Sequence, residues 1–107
     1  MLTGVAASPG KVTARARLVL DPLGVELRSE VLIAHRTDPG WVPLFPSAVA
    51  VVVERGSVLS HSAIVAREFG IPCVVGLRDA LSRLRDGDLV EVDGGAGTVT
   101  VVEEAER

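Results

Sequence analysis

The stretch AVAVVVERGSVLSHSAIVAREFGIPCVVG, residues 48–76, carries most of the information about the fold. Its first six residues, Ala48 to Val53, are apolar at every position, which is typical of a strand covered on both faces. Residues 62–69 then place apolar side chains on one face at helical spacing, and Gly70 predicts the end of that helix. Because residues 71–76 form another short apolar run, the stretch predicts a strand, a loop, a helix and a second strand.

Outside this stretch, short apolar or alternating segments are separated by turn residues. Strands are predicted over residues 12–20, 30–36, 89–92 and 98–102, short helices over 41–45 and 79–84, and a polar tail over 103–107. The total is about six or seven strands and two or three short helices, without strict strand–helix alternation. We therefore expect an α+β fold with a mixed sheet and helices on one side of it.

Length and composition exclude several classes of protein. The chain has 107 residues, of which 48% are hydrophobic and 23% charged, as expected for a single domain over residues 1–107. A formal net charge of −3 without a long basic run argues against nucleic-acid binding. The single Cys73 cannot form an internal disulfide or a two-cysteine metal motif. With no secretory leader recognised and no apolar run long enough to cross a bilayer, we expect a cytoplasmic protein without a membrane partner.

The predicted chemistry centres on His61, which follows a Gly/Ser loop and falls at the first position of the predicted helix. Ser60 is placed to cap the helix, and Gly56 and Ser57 lie in the loop before it. Free backbone N–H groups and the positive end of the helix dipole meet there, and this combination attracts phosphate. The dipole also favours the neutral imidazole, a competent nucleophile, with Ser62 as a hydroxyl donor beside it. From position alone, a surface or capping histidine is the alternative interpretation.

The string GSVLSHSAIVAREFGIPCVVG, residues 56–76, resembles the phosphohistidine signature of the phosphoenolpyruvate-utilising enzymes. That family includes phosphoenolpyruvate synthase, pyruvate phosphate dikinase, enzyme I of the sugar phosphotransferase system and rifampicin phosphotransferase. Further blocks that resemble the family lie at residues 7–10, 15–17, 37–45, 86–88 and 92–97, so the similarity covers nearly the whole chain. The resemblance implies a mobile, or swivelling, domain with a three-layer β/β/α sandwich.

The resemblance also implies a function. His61 matches the phosphorylated histidine, so the domain is expected to be a phosphoryl carrier in phosphoenolpyruvate synthase-like phosphotransfer. Its partners would be an ATP-grasp nucleotide-binding domain, a phosphoenolpyruvate barrel domain or both, in cis or in trans. Mg²⁺ and ATP or phosphoenolpyruvate are expected on those domains, with no metal and no cofactor on this one. The isolated chain, as part of a phosphotransferase, is therefore expected to be inert toward ATP and phosphoenolpyruvate by itself.

Two residues depart from the family pattern. Ser57 replaces the second glycine of the usual pair, which is expected to restrict the loop, and Leu59 stands where many members have threonine. Leucine is common there in the synthase-like and rifampicin-like branch, so we do not interpret it as inactivating. Two other functions stay open on the same fold: a non-catalytic regulatory or binding module, and a swivelling subunit of an aconitase-like dehydratase. The intact Ser60-His61 pair favours the carrier.

Four further residues receive structural interpretations. His35 is predicted to be a surface residue at a strand end rather than a second phosphate site. Arg67 lies roughly 240° around the helix from His61, which favours a structural ion pair over a phosphate clamp. Cys73 and Trp41 are predicted to be core residues.

Overall fold

The computed structural model describes residues 1–105, so the last two residues of the expected polar tail lie outside the described part. Within it the strands are β1 (Leu2–Thr3), β2 (Val5–Ser8), β3 (Lys11–Leu18), β4 (Glu30–Ala34), β5 (Ala48–Val53), β6 (Cys73–Val75), β7 (Leu89–Asp93) and β8 (Thr98–Glu103). The helices are α1 (His61–Phe69) and α2 (Ala80–Arg83), and a 3₁₀ segment covers Pro39–Ser47. The expected α+β class is confirmed.

Strand β3 connects two half-sheets, because its two ends pair with different neighbours. Residues 11–15 pair antiparallel with β7, whereas residues 16–18 pair parallel with β4. The strand order is β1-β8-β7-β3-β4-β5-β6-β2, and β4, β5 and β6 run parallel to one another. The sheet is therefore mixed, as expected.

Two hydrophobic cores lie on opposite faces of the parallel strands. One core joins α1 and the 3₁₀ segment to one face of these strands and includes Phe45, Val51 and Ala66. The other joins the opposite face to β7 and β8 and includes Val52 and Val90. The result is a layer of sheet, a second layer of sheet and a layer of helix, which confirms the β/β/α sandwich. The apolar run of β5 serves both cores because alternate residues of a strand point to opposite faces.

Three expectations about the elements differ from the structure. The described residues form eight strands rather than six or seven, because the two residues of β1 and the four of β2 are too few to show a periodicity. The helices do not all lie on one side, since Ala80 and Leu84 of the α2 region pack into the core between the two half-sheets. The strand expected over residues 71–76 is also shorter and covers Cys73–Val75.

The predicted core positions of Trp41 and Cys73 are confirmed, since their side chains are buried. Burial raises the pKa of the Cys73 thiol to about 12, and the charge of Arg67 opposes this shift only in part. Such a thiol stays protonated and unreactive near neutral pH. Among residues 1–105, no helix combines the length and the apolar character needed to cross a membrane.

Candidate functional site

His61 is the first residue of α1, and the loop before it leads from the carboxyl end of β5. Strands β4 and β5 are parallel, so the segments that follow them meet at the same edge of the sheet. This edge is where open sheets with parallel strands place their ligand sites. The His61 side chain is partly exposed, and its predicted position at a helix N-terminus is confirmed.

The His61 ring is oriented by Thr37, a residue that the sequence analysis did not single out. Thr37 Oγ1 lies 3.1 Å from His61 Nδ1 and 2.5 Å from Ser62 Oγ. Thr37 and Ser62 are only 8% and 3% exposed, so water competes little for these hydrogen bonds. Ser62 therefore supports His61 through Thr37, whereas the sequence had suggested a hydroxyl acting on the ring directly.

The direction of the hydrogen bonds from His61 through Thr37 to Ser62 determines which ring nitrogen can react. When Nδ1–H of His61 donates to Thr37 Oγ1, the Thr37 hydroxyl donates to Ser62 Oγ, and both protons have an acceptor. Nε2 then carries a free lone pair, which a nucleophile requires. The ring also packs edge-to-face against Phe45, with 6.3 Å between centroids and an interplanar angle of 86°. This contact restricts rotation of the imidazole.

The loop before His61 depends on Gly56 and Ser57. Gly56 has a φ of +127°, which strains any other residue, and a Cβ there would also crowd Ser60 Oγ at 2.9 Å. The Ser57 carbonyl accepts hydrogen bonds from Ser60 N at 3.0 Å and from Ser60 Oγ at 2.7 Å. The Ser57 hydroxyl accepts a hydrogen bond from Leu59 N at 3.2 Å. Because Ser57 does not have a positive φ, serine fits where the family pattern has glycine, and its hydroxyl stabilises the turn.

Ser60 occupies the N-cap position of α1, as predicted, but its side chain makes no capping hydrogen bond. The hydroxyl donates backward to the Ser57 carbonyl instead, so the predicted capping role of this side chain is wrong. The first N–H groups of an α-helix have no acceptor within the helix. At α1 they are therefore not occupied by the Ser60 hydroxyl, and the helix dipole is directed at the same place.

Arg67 ties α1 to this loop through backbone acceptors. One guanidinium nitrogen donates to the Ala7 carbonyl at 2.7 Å, and another donates to the Val58 carbonyl at 2.8 Å. The predicted structural ion pair is therefore wrong, because the guanidinium meets two carbonyl oxygens rather than a carboxylate. A sequence pattern cannot distinguish these partners, since both β2 and the loop reach Arg67 only in the folded chain.

His35 is a surface residue just beyond the end of β4, as predicted. Its Nδ1 lies 2.7 Å from Glu54 Oε1, and Glu54 Oε2 accepts a hydrogen bond from Leu81 N at 2.9 Å. The hydrogen bond from His35 lowers the pKa of the Glu54 carboxyl; burial opposes this shift, and the Leu81 N–H and the His35 charge add to it. Glu54 thus joins the ends of β4 and β5 to α2, beside the loop that leads to His61.

A family model described as "PEP-utilising enzyme, mobile domain" matches residues 27–97, which include Thr37 and His61. The chain belongs to this family. Curated relatives are much longer proteins. Prodigiosin synthesizing transferase PigC from Serratia marcescens is 50% identical over 110 residues, which cover 100% of this chain and 12% of that protein. The phosphoenolpyruvate synthase of Aeropyrum pernix is 45% identical over 102 residues, which cover 92% of this chain and 12% of that protein.

Solved structures agree with the mobile-domain fold. The solution structure of Enzyme I (nEIt) matches with a TM-score of 0.62 and 36% identity, over 70% of this chain and 31% of that chain. Aconitase X from Thermococcus kodakaraensis, in its holo-form, matches with a TM-score of 0.71 and 21% identity, over 95% of this chain and 98% of that chain. At such low identity, the likeness to aconitase X shows the fold alone.

Proposed function

We propose that this mobile domain carries a phosphoryl group on Nε2 of His61 between two catalytic sites of a phosphotransferase. The observation that carries the proposal is the hydrogen bond between His61 Nδ1 and Thr37 Oγ1 at the N-terminus of α1. It occupies Nδ1 and leaves Nε2 as the nitrogen that can attack phosphorus. Membership of the PEP-utilising family supports the phosphoryl group as cargo.

Each half-reaction exchanges one bond at phosphorus. In the first, the Nε2 lone pair attacks the phosphorus of the donor, the N–P bond forms, and the donor oxygen leaves with the electron pair of the P–O bond. In the second, an acceptor oxygen attacks the same phosphorus, and the N–P bond breaks to return the lone pair to Nε2. The proton on Nδ1 stays in place throughout, so Thr37 orients the ring without transferring a proton.

The position of His61 also favours the phosphorylated state. A phosphoryl group brings about two negative charges, which the first N–H groups and the dipole of α1 stabilise. The Ser60 hydroxyl does not occupy these N–H groups, because it donates to the Ser57 carbonyl instead. The same local geometry therefore presents the nucleophile and stabilises its product.

The donor and acceptor sites are proposed to lie on an ATP-grasp domain, a phosphoenolpyruvate barrel domain or both, in cis or in trans. The matched segment is 12% of the relatives' length, which supports further domains in cis. ATP or phosphoenolpyruvate and Mg²⁺ are proposed to bind on those domains. Tethering gives the carrier a high effective concentration at each site. We place this phosphotransfer in the cytoplasm.

Intact-mass analysis tests the proposal after incubation with an ATP-grasp domain and ATP, or with a phosphoenolpyruvate barrel domain and phosphoenolpyruvate; each is called a donor domain below. The wild type and His35→Ala should gain one phosphate that mild acid removes, since the N–P bond is acid-labile, whereas His61→Ala should gain none. The chain alone should remain unlabelled by either donor molecule. A label on His61→Ala, or an acid-stable label on the wild type, would contradict the carrier function and favour a regulatory module.

A further inference from the structure

Apolar side chains flank His61 on the open surface, although most large hydrophobic residues of the chain are buried. Leu59 is 80% exposed, and Val58 and Ile64 are each 43% exposed. Val58 and Leu59 lie in the loop just before His61, and Ile64 lies one turn after it on the same face of α1. These three residues are called the apolar rim below.

Hydrogen bonds hold the backbone of the loop part of the apolar rim, at Val58 and Leu59. Arg67 donates to the Val58 carbonyl, and Leu59 N donates to the Ser57 hydroxyl. Helix α1 meanwhile buries a different set of residues against the sheet, so the rim contributes nothing to that core. An ordered loop that presents apolar side chains to water is typical of a binding surface.

Two arginines follow the strands that end at the same edge of the sheet as His61. Arg36 and Arg55 follow the adjacent ends of β4 and β5, which are held together by a hydrogen bond of 2.9 Å from Arg55 N to the His35 carbonyl. Both arginines are exposed, and neither guanidinium has a carboxylate within 4.0 Å among residues 1–105. Two carboxylates lie near these arginines in sequence, but both are hydrogen-bonded to other groups: Glu54 to His35 and to Leu81 N, and Asp38 to Gly40 N.

We propose that the apolar rim, Arg36 and Arg55 form one docking face for a catalytic domain whose cleft has an apolar floor and an acidic margin. The inference rests on the proposed function, because docking here brings His61 to the reacting phosphorus. Burial of the rim would exclude water from the N–P bond, which is prone to hydrolysis. The two arginines would steer the carrier toward a cleft of opposite charge and away from other surfaces.

The apolar part of the face is tested by the kinetics of phosphorylation, with the donor domain, its ATP or phosphoenolpyruvate, and increasing concentrations of this chain. Leu59→Ser and Ile64→Ser should each raise the KM for the chain by about tenfold, since each removes one large apolar side chain from the contact. The kcat should change little. The matched control is Val102→Ser, a 57% exposed position on β8 at the other side of the sheet, which should leave the KM unchanged.

The charged part is tested by Arg55→Glu, with Arg28→Glu as the matched control. Arg28 is also exposed, and no described carboxylate lies within 4.0 Å of its guanidinium, but it precedes β4 at the opposite end of that strand. Arg55→Glu should raise the KM, and the rise should shrink as KCl is increased, because salt screens interactions between surface charges. Arg28→Glu should behave as the wild type. Equal effects of the two substitutions would overturn the charged part of the face.

Phosphoramidate separates docking from chemistry, because this small phosphoryl donor needs no docking face. In a His35→Ala background, where His61 is the one remaining histidine, the rim variants should react with phosphoramidate at the rate of their parent. Parent-like chemical labelling together with a raised KM supports the docking face. If the donor domain labels Leu59→Ser and Ile64→Ser with the KM of their parent, the docking face is overturned and the carrier function stays intact. A parent chain that neither donor labels would contradict the carrier function itself.

Discussion

At the scale of the residue, the proposed chemistry of His61 depends on the hydroxyl of Thr37. The 3.1 Å contact to Nδ1 and the bond from Thr37 to the buried Ser62 hold the ring in one orientation. Thr37 acts through His61 and touches no reacting atom in the proposed half-reactions. It is therefore a positioning residue, and its loss should change both the rate of transfer and the protonation pattern of the ring.

Thr37→Val is expected to slow labelling by the donor domain about tenfold, the effect of one lost hydrogen bond. Thr37→Ser should restore the rate, because it keeps the hydroxyl. Initial rates measure the effect, and ¹⁵N NMR of the His61 ring should show a shift away from the Nδ1–H tautomer in the valine variant. Thr13→Val, at an exposed position on β3, is the control. Wild-type rates and ring shifts in Thr37→Val would exclude the positioning role.

Gly56→Ala is expected to displace the loop, because the new Cβ would meet Ser60 Oγ at 2.9 Å and the φ of +127° disfavours alanine. Labelling should fall, and the free energy of unfolding should drop by about 1–3 kcal/mol. Gly24→Ala is a suitable control, since Gly24 also has a positive φ, +76°, but nothing lies within 4 Å of its Cβ position. Both variants should lose stability in urea titrations, whereas only Gly56→Ala should lose labelling. Full labelling of Gly56→Ala would contradict a required loop geometry.

The site could be predicted in part from the sequence. The place of His61 at the start of a helix follows from local signals, namely the apolar strand, the Gly/Ser loop and the helix that Gly70 ends with a φ of +70°. Its role as phosphoryl acceptor was expected only from the resemblance of residues 56–76 to the family. Thr37 could not be found this way, because it precedes His61 by 24 positions and reaches the ring only after β4 and β5 pair in parallel. Ser60 was predictable only in part. Its N-cap position follows from local sequence, but the acceptor of its hydroxyl, the Ser57 carbonyl, depends on how the loop folds.

At the scale of the element, Glu54 connects three elements beside the loop that leads to His61. Its carboxylate bonds to His35 beyond β4 and to the backbone of Leu81 in α2, directly before the loop that leads to His61. The N-cap residue of α2, Asp79, makes no side-chain capping bond, and Glu54, the residue after β5, supplies an acceptor to that helix. The contact joins three elements that are distant in sequence.

The stability of the fold should therefore depend on the ionisation of Glu54. Folding lowers the pKa of this carboxyl below its ordinary value of 4.5, chiefly through the hydrogen bond from His35. The ionised Glu54 carboxylate stabilises the fold at pH values above its pKa in the unfolded chain. This contribution is lost as the pH falls through the lowered pKa of the folded state. Urea unfolding from pH 7 to pH 3 should show wild type more stable than Glu54→Gln near neutrality, with the difference vanishing in acid. A difference that does not change with pH would contradict this role.

The elements themselves were predictable where their signals are long. Strand β5 and helix α1 follow from a six-residue apolar run and from a helical pattern ended by Gly70. Strand β1 has two residues, and α2 has four, so neither carries enough periodicity to fix its partners. The side of the sheet on which α2 packs is determined by Ala80 and Leu84 meeting the core between the half-sheets, a tertiary property.

At the scale of the whole molecule, the hydrophobic core between the half-sheets and the proposed phosphorylation site lie in different parts of the fold. The core between the half-sheets lies on one face of the parallel strands, whereas α1 covers the other, and His61 lies at the end of this helix beside the carboxyl ends of β4 and β5. Aconitase X shares the fold at 21% identity, which agrees with a scaffold that accepts different sites. In this chain the edge carries a histidine, its positioning threonine and an exposed apolar rim.

Phosphorylation of His61 at Nε2 is tested most directly by NMR of the chain labelled with ¹⁵N in its histidine rings, after transfer from the donor domain. A ¹⁵N–³¹P coupling is expected at Nε2 of His61, with Nδ1 still protonated and bonded to Thr37, and with no coupling to phosphorus at either nitrogen of His35. Coupling at Nδ1 of His61, coupling in His35, or a phosphate coupled to no ring nitrogen would contradict the carrier mechanism.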